Sequence, residues 1–250
     1  MNPSGYGLPS DVSTEGWRMD QALHVTHWFI AGLLVVALMW LGWALIAGRR
    51  RATSGYFRGD SRRAALLPLG IAAFVFLVVD GHLLVSSTVD TLGTLHDFDG
   101  ALAKPDVLRL QLNARQWAWD ARYAGSDGRF GTDDDVYVTT DIRVPKGRPV
   151  VVQIAAVDVV HALYIPNLRV QVDAIPGRIT WAWFEVTRAG ELDVVCAQHC
   201  GVNHYKMAAK LHVLEADEFA DWLATESRYA TKMVKARAEL QGEESLALFP

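Results

Sequence analysis

The longest uncharged stretch of the chain constrains its fold more than any other feature. From Trp28 to Gly48 the sequence reads WFIAGLLVVALMWLGWALIAG, 21 residues without a charge. A helix of this length rises about 30 Å, which matches the hydrocarbon core of a bilayer. We therefore expect a membrane-spanning helix over about residues 25–48. A cleaved signal peptide is a poor alternative, because its apolar core is usually about 7 to 15 residues long.

A second apolar stretch predicts that the first helix has a partner. Its pattern continues past Asp80 and His82, so we expect it to cover about residues 64–89. The connection between the two helices, residues 49–63, holds six arginines and one aspartate. Under the positive-inside rule this connection faces the cytoplasm. The N-terminus and everything after about residue 90 are then expected on the periplasmic or external side of a bacterial inner membrane.

Two ionisable residues interrupt the second apolar stretch. Ionisable groups in a membrane span face protein or water and are functional candidates. The alternative is that Asp80 and His82 are solvated or paired near the external interface, and the sequence leaves their role open.

Most of the remaining sequence is typical of a β domain. Runs such as VLRLQLNARQWAWDARY and RPVVVQIAAV are rich in β-branched and aromatic residues, and turn sequences such as PKG and PGR separate them. Several short strands at this spacing predict an antiparallel sandwich or barrel. The insertion at residues 125–135 is rich in Asp and Gly, but its spacing is not that of a calcium-binding EF-hand, so we expect a solvated hairpin.

These patterns divide the chain into three parts. We expect an N-terminal segment with a transmembrane hairpin in residues 1–95, a β domain in residues 96–214, and a C-terminal helix and tail in residues 215–250. The helix is predicted from about Ala216 to Leu240, where helix formers dominate and Gly and Pro are missing, and the tail after it is predicted to be irregular.

Charge and cysteine content exclude two classes of protein. The net charge is −4, and residues 98–214 carry 13 acidic and 13 basic side chains. A nucleic-acid binder that relies on a strongly basic surface is therefore excluded. The two cysteines can form at most one bridge, which excludes a disulfide-rich secreted scaffold.

Both cysteines lie in one short motif whose residues are typical of a metal site. Residues 196–207 read CAQHCGVNHYKM, so the cysteines are four residues apart, and His204 and Met207 follow in the same segment. Thiolates, an imidazole and a thioether together favour a soft or borderline metal, above all copper. Zinc is the next alternative, although methionine is not among its usual ligands. A structural disulfide has poor geometry at this spacing and leaves the histidine and methionine unexplained.

This motif and its surroundings resemble subunit II of the haem-copper oxidases, the subunit that carries the dinuclear CuA centre. The matching elements are the segment C-A-Q-H-C-G-x-x-H-x-x-M, an upstream histidine in HALYIPNLRVQVDAIPGR, an aromatic QWAW segment and two N-terminal transmembrane helices. The resemblance covers nearly the whole chain. It implies a cupredoxin-like Greek-key barrel in a subunit of a cytochrome-c-oxidase-type oxidoreductase.

The resemblance also implies the copper ligands. They are two thiolates that bridge both copper ions, one imidazole on each copper, and one weak ligand on each copper. Cys196 and Cys200 are the implied bridging thiolates, and His161 and His204 are the implied imidazole ligands. Met207 and the backbone carbonyl of Gln198 are the implied weak ligands. Many family members have glutamate where this chain has Gln198, and that glutamate helps to bind magnesium or manganese at the interface with subunit I. Because glutamine lacks the negative charge, we do not expect that second metal here.

The QWAW segment carries the residues implied in electron uptake. In the family its first tryptophan receives electrons from the donor, so the role falls on Trp117, and Trp119 lies two residues further on the same face of the predicted strand. Core or rim packing is the alternative for both. Packing is the interpretation we favour for Trp181 and Trp183, which repeat the spacing.

Three functions remain open. The first is the electron-accepting subunit of a membrane haem-copper terminal oxidase, which takes single electrons from a periplasmic cytochrome c or cupredoxin and passes them to haem in catalytic subunit I of a larger complex. The second is the equivalent subunit of a haem-copper nitric oxide reductase. The third is a membrane-tethered copper carrier or assembly protein. Because the chain has no Cys-x-x-Cys-His motif, we expect no haem of its own and a separate donor protein.

Overall fold

The chain forms two compact units. The computed structural model describes residues 7–49, 59 and 61–247. One unit consists of residues 18–94, and the other consists of the residues up to 17 together with those from 95 onward. Most of the arginine-rich connection that was predicted to face the cytoplasm lies outside the described residues.

The first unit is a hairpin of two long apolar helical arms. The first arm is helix α1 (Trp17–Arg49). The second arm begins with α2 (Arg62–Phe74) and continues through a π-helical turn into α3 (Gly81–Asp90). Arg18 pairs with Asp90 at 2.8 Å, so the start of the first arm lies beside the end of the second, and the arms are antiparallel.

Both arms are longer than the sequence predicted. The stretches Trp17–Arg49 and Ala64–Leu102 are each long and apolar enough to cross a membrane. Large apolar side chains along both arms are exposed, such as Trp28 at 75% and Leu77 at 70%, which in water would be unfavourable. Exposed apolar side chains all around a long helix are typical of helices that lie in lipid.

The second unit is built around two five-stranded sheets. In chain order the strands are β1 (Leu108–Arg115), β2 (Ala118–Tyr123), β3 (Val136–Thr139), β4 (Asp141–Pro145), β5 (Pro149–Ala156), β6 (His161–Ile165), β7 (Val170–Ala174), β8 (Thr180–Glu185), β9 (Gly190–Cys196) and β10 (Ala208–Leu214). The sheet orders are β3-β2-β1-β5-β8 and β4-β10-β9-β6-β7. The predicted mainly β, cupredoxin-like domain is confirmed. The prediction that it is antiparallel throughout is wrong, because β1 pairs with β5 and β4 with β10 in parallel.

The core lies between the two sheets. Along β1, Leu108, Leu110, Leu112 and Ala114 are buried, and the side chains between them point outward. Strand β5 is buried on both faces, because its outer side meets a second, smaller cluster. In that cluster Ala101 of the short helix α4 (Phe98–Leu102) packs with Val151 and Trp183.

The N-terminal segment is part of the β unit, which the sequence did not indicate. Val12 is 3% exposed and packs in the main core. Its amide donates to the carbonyl of Asn167 at 2.9 Å, and its carbonyl accepts from the amide of Thr187 at 2.8 Å. These backbone hydrogen bonds attach the residues that precede α1 to the β domain.

The C-terminal helix α5 (Ala216–Ala247) is longer than predicted. The tail that was expected to be irregular is therefore helical up to residue 247, and residues 248–250 lie outside the described part. Phe219 and Trp222 of this helix pack against Tyr123, with ring centroids 6.4 and 5.2 Å away.

The insertion at residues 125–135 is less solvated than predicted. Asp135 is 3% exposed and pairs with Arg122. Asp134 accepts a hydrogen bond from the hydroxyl of Ser227 in α5 at 3.1 Å. The insertion is therefore held by its own carboxylates against the strand and the helix beside it.

A buried tyrosine joins the two sheets and provides a test of this packing. The hydroxyl of Tyr123 in β2 donates to the carbonyl of Arg143 in β4 at 3.0 Å and accepts from the amide of Arg143 at 2.8 Å. Burial raises the pKa of Tyr123 above its usual range, so the hydroxyl keeps its proton. Tyr123→Phe should lower the free energy of unfolding by about 1–3 kcal/mol, because it leaves buried polar groups without a partner.

Chemical unfolding of the full chain in detergent, followed by tryptophan fluorescence, measures this change. The control is Tyr137→Phe, since Tyr137 is 67% exposed. The control should change the stability by less than about 0.5 kcal/mol. Equal effects of the two substitutions would contradict the role of Tyr123.

Candidate metal centre

Strand pairing brings distant residues of the motif together. Strands β6 and β9 are antiparallel, and Leu163 lies opposite Cys196. His161, the first residue of β6, therefore comes close to Cys196, although the two are 35 residues apart. The ligand loop, residues 197–207, then returns to β10, and the amide of Cys196 donates to the carbonyl of Met207 at 3.1 Å.

The potential ligand atoms form one cluster at this end of the β domain. The two Sγ atoms are 3.7 Å apart. The Sγ of Cys196 lies 4.0 Å from Nδ1 of His161, and the Sγ of Cys200 lies 3.5 Å from Nδ1 of His204 and 3.7 Å from Sδ of Met207. The thiols and His161 form a group of potential metal ligands whose atoms lie within 4.8 Å of one another.

The distances fit a metal site better than a disulfide. Both cysteines are free, and their separation is far above the 2.05 Å of an S–S bond. A metal–thiolate bond is about 2.3 Å, the length found for zinc, so two sulfurs 3.7 Å apart can bind the same ion. The donor set is soft, and His161, Cys200 and Met207 are at most 3% exposed, so the residues fit a buried copper site.

The backbone of Gln198 also faces the cluster. Its carbonyl oxygen lies 3.1 Å from the Sγ of Cys196, whereas the residue as a whole is exposed. His199 is exposed too, and its ring lies 5.5 Å from that of His204. The structure thus places all six residues of the predicted ligand set around the two sulfurs and leaves His199 outside it.

Burial controls the protonation of the Cys200 thiol. Removal from water and the neighbouring Cys196 sulfur raise the pKa of the Cys200 thiol to about 11. Without a cation, this thiol therefore keeps its proton at neutral pH. A metal ion favours the deprotonated form instead, because it binds the thiolate and releases the proton.

Asp158 orients His161 and was not predicted from the sequence. Its Oδ1 accepts from Nε2 of His161 at 2.9 Å, which leaves Nδ1 directed at the sulfurs. Partial burial opposes ionisation of Asp158, but hydrogen bonds from His161 and from the amides of Gln116 and Val159 lower its pKa to about 2. A carboxylate on the second nitrogen of a metal-binding histidine is common, so the Asp three residues before His161 was the available signal.

The structure separates the two tryptophans of the QWAW segment. Trp117 lies in the turn between β1 and β2 and is partly exposed, so the prediction that it shares a strand face with Trp119 is wrong. Its Nε1 donates to the carbonyl of Cys200 at 3.3 Å. Trp119 is fully buried, with its ring 6.2 Å from that of His161. Of these two tryptophans, only Trp117 offers surface near the cysteines.

The arrangement is suited to electron transfer. Its donors come from a strand and a loop fixed between two strands, and most of them are buried. A copper ion held by such donors would supply one-electron chemistry, and these residues would hold it in a fixed geometry.

Comparisons with known proteins agree with this chemistry. Residues 108–214 match the family model for the periplasmic domain of cytochrome c oxidase subunit II. The alternative cytochrome c oxidase subunit 2 of Bradyrhizobium diazoefficiens is 26% identical over 242 residues, which cover 88% of this chain and 84% of that protein. The probable cytochrome c oxidase subunit 2 of Rickettsia prowazekii is 29% identical over 140 residues, and this chain spans less than half of its length, 45%.

A solved structure has a similar sequence over the β domain. The periplasmic domain of subunit II of cytochrome oxidase from Bradyrhizobium japonicum is 27% identical, with a TM-score of 0.44, and the match covers 50% of this chain and 96% of that domain. Residues 108–214, the β domain of this chain, thus have the sequence pattern of the periplasmic domain of cytochrome c oxidase subunit II, and the chain is similar to subunits of that oxidoreductase complex.

Proposed function

We propose that this chain accepts electrons for a membrane haem-copper terminal oxidase. It takes single electrons from a periplasmic donor at a dinuclear copper centre and passes them to haem in the catalytic subunit, where oxygen is reduced to water. The observation that carries the proposal is the cluster of two free thiols 3.7 Å apart, with a histidine and a methionine close to them. A carrier that releases its copper would gain nothing from a ligand set this deeply buried.

Each residue of the cluster has a distinct role in the proposal. When bound, the copper pair would supply reversible acceptance of one electron. Cys196 and Cys200 would hold the copper through their sulfurs, and His161 and His204 would hold it through their ring nitrogens. The thioether of Met207 and the carbonyl of Gln198 are the weak ligands, which adjust the reduction potential rather than retain the metal.

Trp117 is the point at which electrons enter. Its ring combines partial exposure with a hydrogen bond to the carbonyl of Cys200, so it links the surface to a ligand residue. Trp119 packs beside His161 and has no surface for a donor, so the electron-uptake role is assigned to Trp117 alone.

The location is a bacterial inner membrane with the β domain on the periplasmic side. The N-terminal segment is hydrogen bonded to the β domain, so both ends of the antiparallel hairpin lead to the same domain. This connectivity supports a hairpin that crosses the membrane twice. The arginine count of the connection supports its placement in the cytoplasm.

Co-purification tests the function. A tag on the C-terminus of this chain should isolate a haem-bearing catalytic subunit, and the complex should consume oxygen when a reduced donor is supplied. Consumption of nitric oxide instead would assign the chain to a nitric oxide reductase. Recovery of the chain without any haem protein would favour a copper carrier or assembly protein and contradict the proposal.

Met207→Leu tests the weak ligand. The substitution keeps the volume and removes the thioether, so copper should remain bound while the reduction potential rises or falls by at least about 30 mV. Redox titration of the copper absorption in the full chain measures the shift. Met233→Leu is the matched control, because Met233 is 52% exposed on α5. The reduction potential of the copper in this variant should stay at the wild-type value. An unchanged potential in Met207→Leu would remove this residue from the ligand set.

Trp117→Phe tests the path of electron uptake. Reduction of the copper by a protein donor should slow by at least about tenfold, because the indole and its hydrogen bond to Cys200 are lost. Stopped-flow absorption measures the rate, and an unchanged copper spectrum shows that the centre is intact. Trp181→Phe is the control, because Trp181 packs against the small cluster on the outer face of the sheet that contains β5 and β8. The copper of this variant should be reduced at the wild-type rate. Equal rates in all three proteins would disprove the role of Trp117.

A further inference from the structure

The sheet that contains β1, β5 and β8 carries a pocket on its outer face, away from the cluster of metal ligands. The pocket has a volume of about 300 Å³. This volume is at the lower end of the range for small-molecule sites. The walls come from α4, from the three strands and from the insertion at residues 125–135. We call it the outer pocket and define it by Leu102, Arg109, Phe130, Val151, Gln153 and Trp181.

Arg109 brings a positive charge to the outer pocket. Its guanidinium lies 5.5 Å from the centroid of the Phe130 ring, a cation–π contact that holds it at the wall. Arg109 is exposed, and within the described part of the chain no carboxylate pairs with it. The N–H groups of this guanidinium are therefore available to a ligand.

A chain of hydrogen bonds across the sheet orients Gln153. Arg122, which is paired with Asp135, donates to Oε1 of Gln111 at 3.4 Å. The side-chain nitrogen of Gln111 donates in turn to Oε1 of Gln153 at 2.9 Å. Because a guanidinium can only donate, both amides have their oxygens on the side of Arg122. The chain therefore ends with the NH₂ group of Gln153 as a donor at the wall of the outer pocket.

These two side chains determine which ligand fits the outer pocket. Arg109 and Gln153 offer hydrogen-bond donors, and the remaining walls are apolar or aromatic. An acidic head group can accept from both donors, and charge-assisted hydrogen bonds of this kind are strong. A neutral apolar ligand would remove Arg109 from water without giving it a partner. The pocket therefore fits a molecule that joins a carboxylate to an apolar chain.

The helix α4 indicates where such a molecule comes from. Leu102 is the last residue of the apolar stretch Ala64–Leu102, which is long and apolar enough to cross a membrane. One wall of the outer pocket is thus continuous in sequence with a segment that we expect in lipid, where amphiphilic molecules are concentrated. The small volume suits one chain with its head group better than a two-chain phospholipid.

We propose that the outer pocket binds a fatty acid of medium chain length. Its carboxylate accepts from the guanidinium of Arg109 and the NH₂ group of Gln153, and its chain covers Val151 and Trp181. A bound acid links the insertion, which contacts Arg109 through Phe130, to α4. This site is separate from the metal centre, so its occupancy does not depend on copper.

Fluorine NMR of the full chain tests the proposal. The chain is labelled with 5-fluorotryptophan, washed with fatty-acid-free albumin and placed in nanodiscs of neutral phosphatidylcholine. Trp181→Phe identifies the resonance of Trp181, which lines the pocket. The probes are decanoate and decanol, which have the same chain length and differ in the charge of the head group.

Decanoate should shift the Trp181 resonance in a saturable manner and leave the resonance of the fully buried Trp119 unchanged. Decanol should bind at least about tenfold more weakly, because it lacks the charge. Arg109→Gln should weaken decanoate binding by at least about tenfold, and Arg109→Lys should weaken it less. Arg237→Gln is the control, since Arg237 is an exposed arginine on α5, and it should bind decanoate with the wild-type affinity.

Three results would overturn the inference. The first is the absence of a saturable shift of the Trp181 resonance with decanoate. The second is equal affinity for decanol and decanoate, which would make the pocket an unspecific apolar cavity. The third is wild-type affinity of Arg109→Gln for decanoate, which would remove the guanidinium from the site.

Discussion

The pairing of β6 with β9 is the constraint on which the metal centre depends. Five of the six proposed ligands lie within a 12-residue segment, but His161 is 35 residues before Cys196. The antiparallel register that places Leu163 opposite Cys196 also places this imidazole 4.0 Å from the sulfur. Because both strands are held in a sheet that packs on the core, the ligands are positioned by the fold before any metal binds.

Asp158 connects this centre to the surface. One of its oxygens orients His161, and the other accepts from the amide of Gln116, the residue before Trp117. The ring of Trp117 in turn donates to the carbonyl of Cys200. A histidine ligand, the tryptophan turn and the ligand loop are therefore tied together by hydrogen bonds. The carboxylate and the tryptophan thus fix the proposed point of electron uptake relative to the residues that would hold copper.

The sequence predicted the chemistry of the site better than the details of its surroundings. Cys196, Cys200, His204 and Met207 were proposed as ligands because thiolates, an imidazole and a thioether are rarely placed so close together for other reasons. His161 needed the resemblance, since the strand pairing that brings it to the cysteines cannot be read from local pattern. Asp158 was missed as well, although its position three residues before His161 was an available signal.

Tertiary contacts also explain the other differences. Trp117 and Trp119 have the spacing of one strand face, but a tight turn after Arg115 rotates the first of them out of the sheet. The N-terminal segment shows no strand pattern, and it is attached to the β domain by backbone hydrogen bonds to residues more than 150 positions away and by the buried side chain of Val12. Apolar length alone, by contrast, was enough to predict the two helical arms.

The proposed centre requires two thiols that hold two copper ions sharing one electron. It is tested by the copper content and electron paramagnetic resonance of the full chain, loaded with copper in detergent. We expect about two copper ions per chain and a hyperfine pattern from one electron coupled equally to two copper nuclei. A fully loaded chain with one copper ion, and coupling to a single copper nucleus, would contradict it.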